Sequence, residues 1–282
     1  QVLSLVTELR QGLLPRFDRK GQPVPIPILI DQEGGRINRL LPPSWEIAPP
    51  ARHFGQLAEK NLEKACQEIQ KTAWMISDQL KALGINVNCA PVVDLFHKNA
   101  SEVIGDRALS AHPEIVVPLA IEWVNRLQQK GIVPVIKHLP GHGRALKDSH
   151  KELPVLKTPL SDLRAHDFHA FQKVCEGVST LPWGMTAHIL YESVDPSHPA
   201  TFSSKVIADI IRGEIGFQGF LISDCLTMEA LTGSYTERAH RALSAGCDAI
   251  LHCNGNLEEM REIAAATSPL SKEALQKIGR AS

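Results

Sequence analysis

Six short apolar runs recur along this chain, and helix-like segments separate them. The runs are Ile26 to Ile30, Ile85 to Val93, Ile132 to Ile136, Trp183 to Ile189, Gly219 to Ile222 and Ala249 to His252. Between them the apolar spacing predicts helices at about Asn61 to Leu83, Pro113 to Lys130, Leu160 to Cys175, Ser204 to Arg212 and Tyr235 to Ala245. Leu257 to Ala266 and Ser271 to Ile278 close the chain as further helices. Ser203 and Ser271 are placed to act as N-caps. The opening segment, Gln1 to Leu14, reads as an amphipathic helix through Val2, Leu3, Leu5, Val6 and Leu9. Strands that alternate with helices form βαβ units and a parallel sheet. Pro23 to Pro27 and Pro42-Pro43 read as loops.

The polar residues sharpen this reading. Asp31 and Glu33 follow the first run, Asp94 the second, and Lys137 and His138 the third. His188 ends the fourth run, Asp224 follows the fifth, and His252 closes the sixth. Polar groups gathered at the C-terminal ends of parallel strands mark the active face of a closed (β/α)8 barrel, or of an open doubly wound sheet. No GxGxxG turn follows any strand and no GxxxxGK[ST] occurs, which argues against dinucleotide and P-loop sites. Nothing divides the 282 residues by composition, so a single domain over 1–282 is expected.

The bulk numbers remove several classes of function. A net charge of -1 without a basic block gives no nucleic-acid footprint. No apolar stretch reaches the roughly 18 residues of a membrane span. The six cysteines are scattered and lack CxxC spacing, so they read as reduced thiols in a cytoplasmic setting.

The richest local segment is Lys137-His138-Leu139-Pro140-Gly141-His142-Gly143-Arg144-Ala145-Leu146-Lys147-Asp148-Ser149-His150. It leaves a buried strand and ends in Asp-Ser-His, where the aspartate can turn back and orient the imidazole. Asp224 ends its own strand as a nucleophile, a general base or a metal ligand, or else as the cap of a following helix. Asp31-Gln32-Glu33-Gly34-Gly35-Arg36, with Arg39 beyond it, sets carboxylates and cations around a Gly-Gly turn suited to sugar hydroxyls. Arg107 lies in the loop after the second strand, fit for a ligand or a surface ion pair. A metal-dependent hydrolase is a competing reading, with His138, His142, Asp148 and His150 as ligands, although their spacing matches no HExxH helix.

Taken together, IDQEGGRINRL (30–40), IGDR (104–107), KHLPGHGRALKDSHKELP (137–154), MTAH (185–188) and ISDCLTM (222–228) resemble the family 3 glycoside hydrolases. Within that family the likeness is to the single-domain bacterial β-N-acetylhexosaminidases of peptidoglycan recycling. The resemblance implies a (β/α)8 barrel and a retaining hydrolase that takes N-acetylglucosamine from muropeptides or amino-sugar disaccharides, without cofactor or metal. It implies Asp224 as nucleophile, His150 as general acid/base and Asp148 as its orienting partner. It also implies that Asp31, Arg39, Arg107, Lys137 and His138 bind the sugar. The Asp148-Ser149-His150 loop favours this branch over the related β-glucosidases, whose acid/base carboxylate comes from an added domain. Two departures stand out. Many relatives carry Asp-Asp where this chain has Asp224-Cys225. Six strands are read here against eight in a family barrel, so the first two βα units are expected to be absent from this chain. Such an arc exposes strand edges, which leaves an inactive sugar-binding fragment as a further alternative.

Overall fold

The computed structural model describes residues 1–12, 16–17, 23–24 and 26–280. Its centre is a sheet of six parallel strands, one at each predicted run. They are β1 (Leu29–Ile30), β2 (Val87–Asn88), β3 (Val133–Leu139), β4 (Trp183–Thr186), β5 (Leu221–Cys225) and β6 (Ala249–Leu251). Each pairs with the strand before it in the chain, as in Val87 against Val133 and Gly184 against Leu221. A doubly wound sheet reverses its strand order at a switch point. This sheet never reverses, so it curls one way, as an arc of a barrel.

The strands are apolar on both faces because both faces are covered. Along β3 the side chains alternate. Ile136 packs with the helices, while Val133 and Val135 join the inner cluster with Val87, Trp183, Met185, Phe220 and Ile222. The outer layer is built by α1 (Val2–Gln11), α2 (Ala51–Ala58), α3 (Leu62–Ala82), α4 (Pro113–Gln129), α5 (Leu160–Leu163), α6 (His169–Gly177), α7 (Tyr235–Ala245) and α8 (Leu257–Ala266). In α3 the buried positions Ala65, Ile69, Ala73, Ile76 and Leu80 recur at helical spacing, and the Asn61 side chain accepts from the Lys64 N–H. A capping box between Ser234 and Glu237 starts α7, and Gly246 ends it in the left-handed region.

The inner cluster has an unexpected last member. Helix α9 (Lys272–Arg280) buries Ala274 among the inward-facing strand residues, with Leu270 and Ile278 packed beside it. Lys277 Nζ lies 2.7 Å from Asp248, which also receives Arg212 at 2.9 Å. The outer edges of β1 and β6 carry no further strand among the described residues.

Several expectations shift in detail. The run Ile85 to Val93 supplies only Val87–Asn88 as strand, because Pro91 lacks a ladder donor. Arg164–Phe168 and Val206–Glu214 wind as π-helices where ordinary helices were predicted. The first of these holds Asp167 buried. Helix α2 had no reading from the sequence. Pro23–Val24 pairs antiparallel with Arg16–Phe17 instead of forming plain loop, and Leu13, Leu14 and Pro25 lie outside the described residues. Ser203 and Ser271 cap as expected, accepting from the N–H groups of Val206 and Ala274. Among the described residues no helix is long and apolar enough to cross a membrane.

Candidate active site

The C-terminal ends of the strands converge on a charged floor. Glu33, just past β1, is 6% exposed. Arg107 grips it with two parallel bonds, Nε to Oε2 and Nη2 to Oε1, both 2.8 Å. Lys137, on β3, lies 2.6 Å from Glu33 Oε1 and donates to Asp31 Oδ1 at 2.9 Å. Arg39 stands 3.7 Å from the other Asp31 oxygen. Burial alone would raise the Glu33 carboxyl, but the charges of Lys137 and Arg107 overcome it and bring it down to about 2. Burial works against the Lys137 ammonium as well, and the two carboxylates more than offset it.

Beside this network sits a second buried acid. Asp94 accepts the His138 Nδ1–H at 2.6 Å, the His138 backbone N–H at 3.2 Å and the His142 backbone N–H at 2.6 Å. Three donors keep it ionised despite burial. They also fix the start of the glycine-flanked loop after β3. Gly143 packs so closely on the Leu95 carbonyl that a Cβ would overlap it. Gly34 has a φ of +108° and lies against the Pro49 carbonyl, so this turn requires glycine for packing within the protein. The Tyr191 hydroxyl donates to the Gly141 carbonyl at 2.6 Å, and Ser149 Oγ meets His142 Nε2 at 2.9 Å. Burial, followed by the neighbouring His138, pushes His142 down to about 4, so its ring is neutral near pH 7.

The end of the loop stands in water. His150 donates from Nδ1 to Asp148 Oδ1 at 2.8 Å, and the same oxygen accepts the His150 backbone N–H at 3.0 Å. This leaves Nε2 free. The His150 side chain is 60% exposed. The loop rests on the turn just beyond Asp224, where the N–H groups of Glu229 and Ala230 donate to the carbonyls of His150 and Ser149.

Asp224 closes the circle at the end of β5. Its Oδ1 accepts the Cys225 N–H at 2.7 Å. Burial would raise its carboxyl, yet His188, His138, Cys225 and Lys137 together lower it. His188 donates from Nε2 to the Cys225 carbonyl at 3.0 Å, while its Nδ1 meets Thr201 Oγ1 at 2.7 Å.

All eight residues singled out from the sequence thus fall on one face. Asp31, Arg39 and Lys137 form one linked set, which Arg107 joins through Glu33. Lys137 and His138 are chain neighbours, and Asp148 and His150 form a pair. Among the described residues no side-chain hydrogen bond joins His150 to Asp224; the link between their segments is backbone. Sequence reasoning missed the roles of Glu33, Asp94 and His188. All three stood at strand ends, which was the available signal, but none carries a distinguishing local pattern. Of the ligands considered for a metal, His138 and His142 are engaged by Asp94 and Ser149, and among the described residues no three His, Cys, Asp or Glu side chains are grouped to hold an ion.

Comparison with known proteins identifies the family and the fold. The sequence pattern described as "Glycosyl hydrolase family 3 N terminal domain" matches residues 6–280. A beta-hexosaminidase of Nitrosomonas eutropha is 39% identical over 233 residues, covering 82% of this chain and 65% of that protein. One from Bordetella avium is 38% identical over 232 residues, with the same two coverages of 82% and 65%. The chain therefore spans just under two thirds of the length of these curated relatives. Among solved structures, native NagZ from Neisseria gonorrhoeae superposes with a TM-score of 0.84 at 30% identity, covering 99% of this chain and 78% of that one. A family 3 beta-N-acetylglucosaminidase from a Paenibacillus species gives 0.82 at 32% identity, covering 99% and 52%. The six parallel strands are thus the barrel-type α/β fold of that domain, and the chain belongs to glycosyl hydrolase family 3.

Proposed function

We propose that this chain is the catalytic domain of a retaining β-N-acetylglucosaminidase. Its substrate is a non-reducing terminal N-acetylglucosamine on a muropeptide or amino-sugar disaccharide, and its setting is cytoplasmic recycling of peptidoglycan. One observation carries the reading. An ionised carboxylate, Asp224, sits at a strand end beside His188, His138 and Lys137, and the loop bearing the Asp148–His150 pair is docked on the turn that follows it. The named beta-hexosaminidase relatives support the activity. A structure of the Neisseria gonorrhoeae protein in complex with N-trifluoroacetyl-D-glucosamine supports the sugar class. The scattered, unpaired cysteines support the compartment.

The geometry supports the following chemistry. Asp31, Arg39, Arg107, Lys137 and His138 bind the sugar, with Asp31 accepting from hydroxyls and the cations donating to them. The bond of Nδ1 to Asp148 directs His150 Nε2 outward. Asp224 attacks the anomeric carbon, the glycosidic C–O bond breaks, and His150 Nε2 gives its proton to the departing oxygen. Water then attacks the same carbon, the bond to Asp224 breaks, and His150 takes the proton from the water. Two displacements at one carbon give net retention. A His–Asp pair does here what a second carboxyl group does in most glycosidases.

The test is a trapping experiment. A 5-fluoro N-acetylglucosaminyl reagent is incubated with the protein, followed by intact-mass and peptide mapping, with circular dichroism on the same sample. An adduct on the peptide carrying Asp224, absent in Asp224→Ala, is the expected result. A folded chain without an adduct, or Asp224→Ala with near-normal turnover, would overturn the assignment.

A further inference from the structure

One cluster of nucleophilic side chains plays no part in that reaction. Cys225 follows Asp224 on β5, and Cys253 lies just beyond β6. Leu251 and Cys225 are register partners, which brings the two cysteines to neighbouring strand ends. The Cys253 N–H donates to Cys225 Sγ at 3.2 Å, and the Thr227 hydroxyl lies 3.1 Å from the same sulfur. Cys225 is half-buried and Cys253 exposed, so small oxidants reach both.

The other four thiols are placed differently. Cys89 and Cys247 are buried, and Cys66 and Cys175 are half-buried within α3 and α6. Burial pushes Cys175 and Cys247 up to about 12 and raises Cys66 and Cys89 as well. Cys225 moves the other way: its contacts with Cys253, helped by Thr227, lower it. Cys253 moves up and keeps its proton. The Cys253 N–H and the Thr227 hydroxyl both face Cys225 Sγ, which sets that sulfur to attack and its neighbour to resolve.

We propose that Cys225 and Cys253 form a dithiol modification site that a hydroperoxide closes into a disulfide, silencing the adjacent Asp224. In the first step the Cys225 thiolate attacks the peroxide, an S–O bond forms, the O–O bond breaks, and the alcohol leaves after taking a proton. In the second, Cys253 sulfur attacks the sulfenic sulfur, an S–S bond forms, the S–O bond breaks, and hydroxide leaves with the Cys253 proton as water. Two thiols are oxidised with loss of two hydrogens, and the hydroperoxide is reduced to an alcohol and water.

The coupling to the site runs through the Cys225 backbone. Its N–H holds Asp224 Oδ1 at 2.7 Å, and its carbonyl holds His188 Nε2 at 3.0 Å. Drawing Cys225 toward Cys253 disturbs both bonds. This silencing rests on the reading of Asp224 as the nucleophile; formation of the disulfide does not.

The experiment treats the full chain with tert-butyl hydroperoxide, blocks remaining thiols with iodoacetamide and maps peptides by mass spectrometry. Hydrolysis of an aryl N-acetylglucosaminide is followed on the same samples, before and after dithiothreitol. The expected outcome is a Cys225–Cys253 cross-link, with the four other thiols alkylated once the treated chain is denatured. Hydrolysis should fall by roughly tenfold or more, the scale of one lost hydrogen bond to a charged group, and return on reduction. Cys253→Ser should keep its hydrolysis, form no cross-link, and yield a Cys225 sulfenic acid that a cyclic 1,3-dione captures. Both thiols remaining free for alkylation would overturn the site. A cross-link with unchanged hydrolysis would overturn the silencing. A reduced chain that hydrolyses nothing would count against the proposed function, while the thiol map still decides the site.

Discussion

At the heart of the candidate site's floor, Glu33, Lys137 and Arg107 are buried and hold one another; on the loop above, Asp148 and His150 hold each other in water. Glu33 and Lys137 are 6% and 1% exposed. Each is ionised only because the others are present. The His150 side chain, at 60% exposure, needs no partner in order to be tolerated. The difference separates two tasks. A sugar-binding floor gains from groups already fixed in place, since fewer are left to order when the ligand arrives. An acid/base that must give and then take a proton gains from access and movement.

Glu33→Gln breaks the floor and carries the largest expected effect. It strips the anion from two buried cations, which costs about 3–5 kcal/mol. Urea unfolding measures it, and a midpoint equal to that of the wild type would show that Asp31 and the Val103 carbonyl suffice for Lys137 and Arg107. His150→Ala breaks the other side. Its stability should stay within about 0.5 kcal/mol of the wild type. Its kcat/KM on a natural disaccharide should fall by roughly 10² to 10⁴. Activated aryl glycosides need little protonation and should be spared; equal losses on both substrates would argue against an acid role.

Acid sharpens the contrast. Glu33 lies at about 2 in the folded chain against an ordinary 4.5, so its stabilisation is complete above 4.5 and is lost as the pH falls toward 2. His142 lies at about 4 against 6.5, so the unfolded chain takes up its proton first and stability declines from 6.5 to 4. His97 and His188 are also lowered by burial and act in the same direction, so His142→Asn should lessen the slope of the upper window and leave the lower one intact, as read from unfolding midpoints across pH. A slope unchanged from the wild type between 6.5 and 4 would remove His142 from that window. The smallest effect belongs to Ser149→Ala, which removes the bond to His142 that ties the end of the loop to its buried start. About 1 kcal/mol is expected. A loss comparable to that of Glu33→Gln would mean that loop and floor unfold as one.

The same division explains what could be read in the sequence. The strands were legible because runs such as Ile132 to Ile136 are apolar on both faces, and polar residues stop them. The Asp148–His150 pair was legible because its partners are neighbours in the chain. Asp224 was legible as a lone carboxylate ending a strand. The floor was not: Glu33 and Arg107 are separated by 74 positions, and only the folded sheet brings them together. Asp94 carried no sign that three donors would converge on it. Amphipathic patterning located the final helix but could not say that its apolar side turns inward, against the strands.

That last placement has a consequence of its own. The concave side of the sheet is lined partly by α9, which shares no backbone ladder with the strands. Side-chain packing through Ala274 and Ile278 and the tether from Lys277 to Asp248 hold it there. Displacing it would break no strand-to-strand hydrogen bond, so its attachment and the integrity of the sheet are separable. Amides of residues 272–280 should exchange with solvent through openings that leave β3 and β4 protected, and each such opening would wet Trp183 and Phe220.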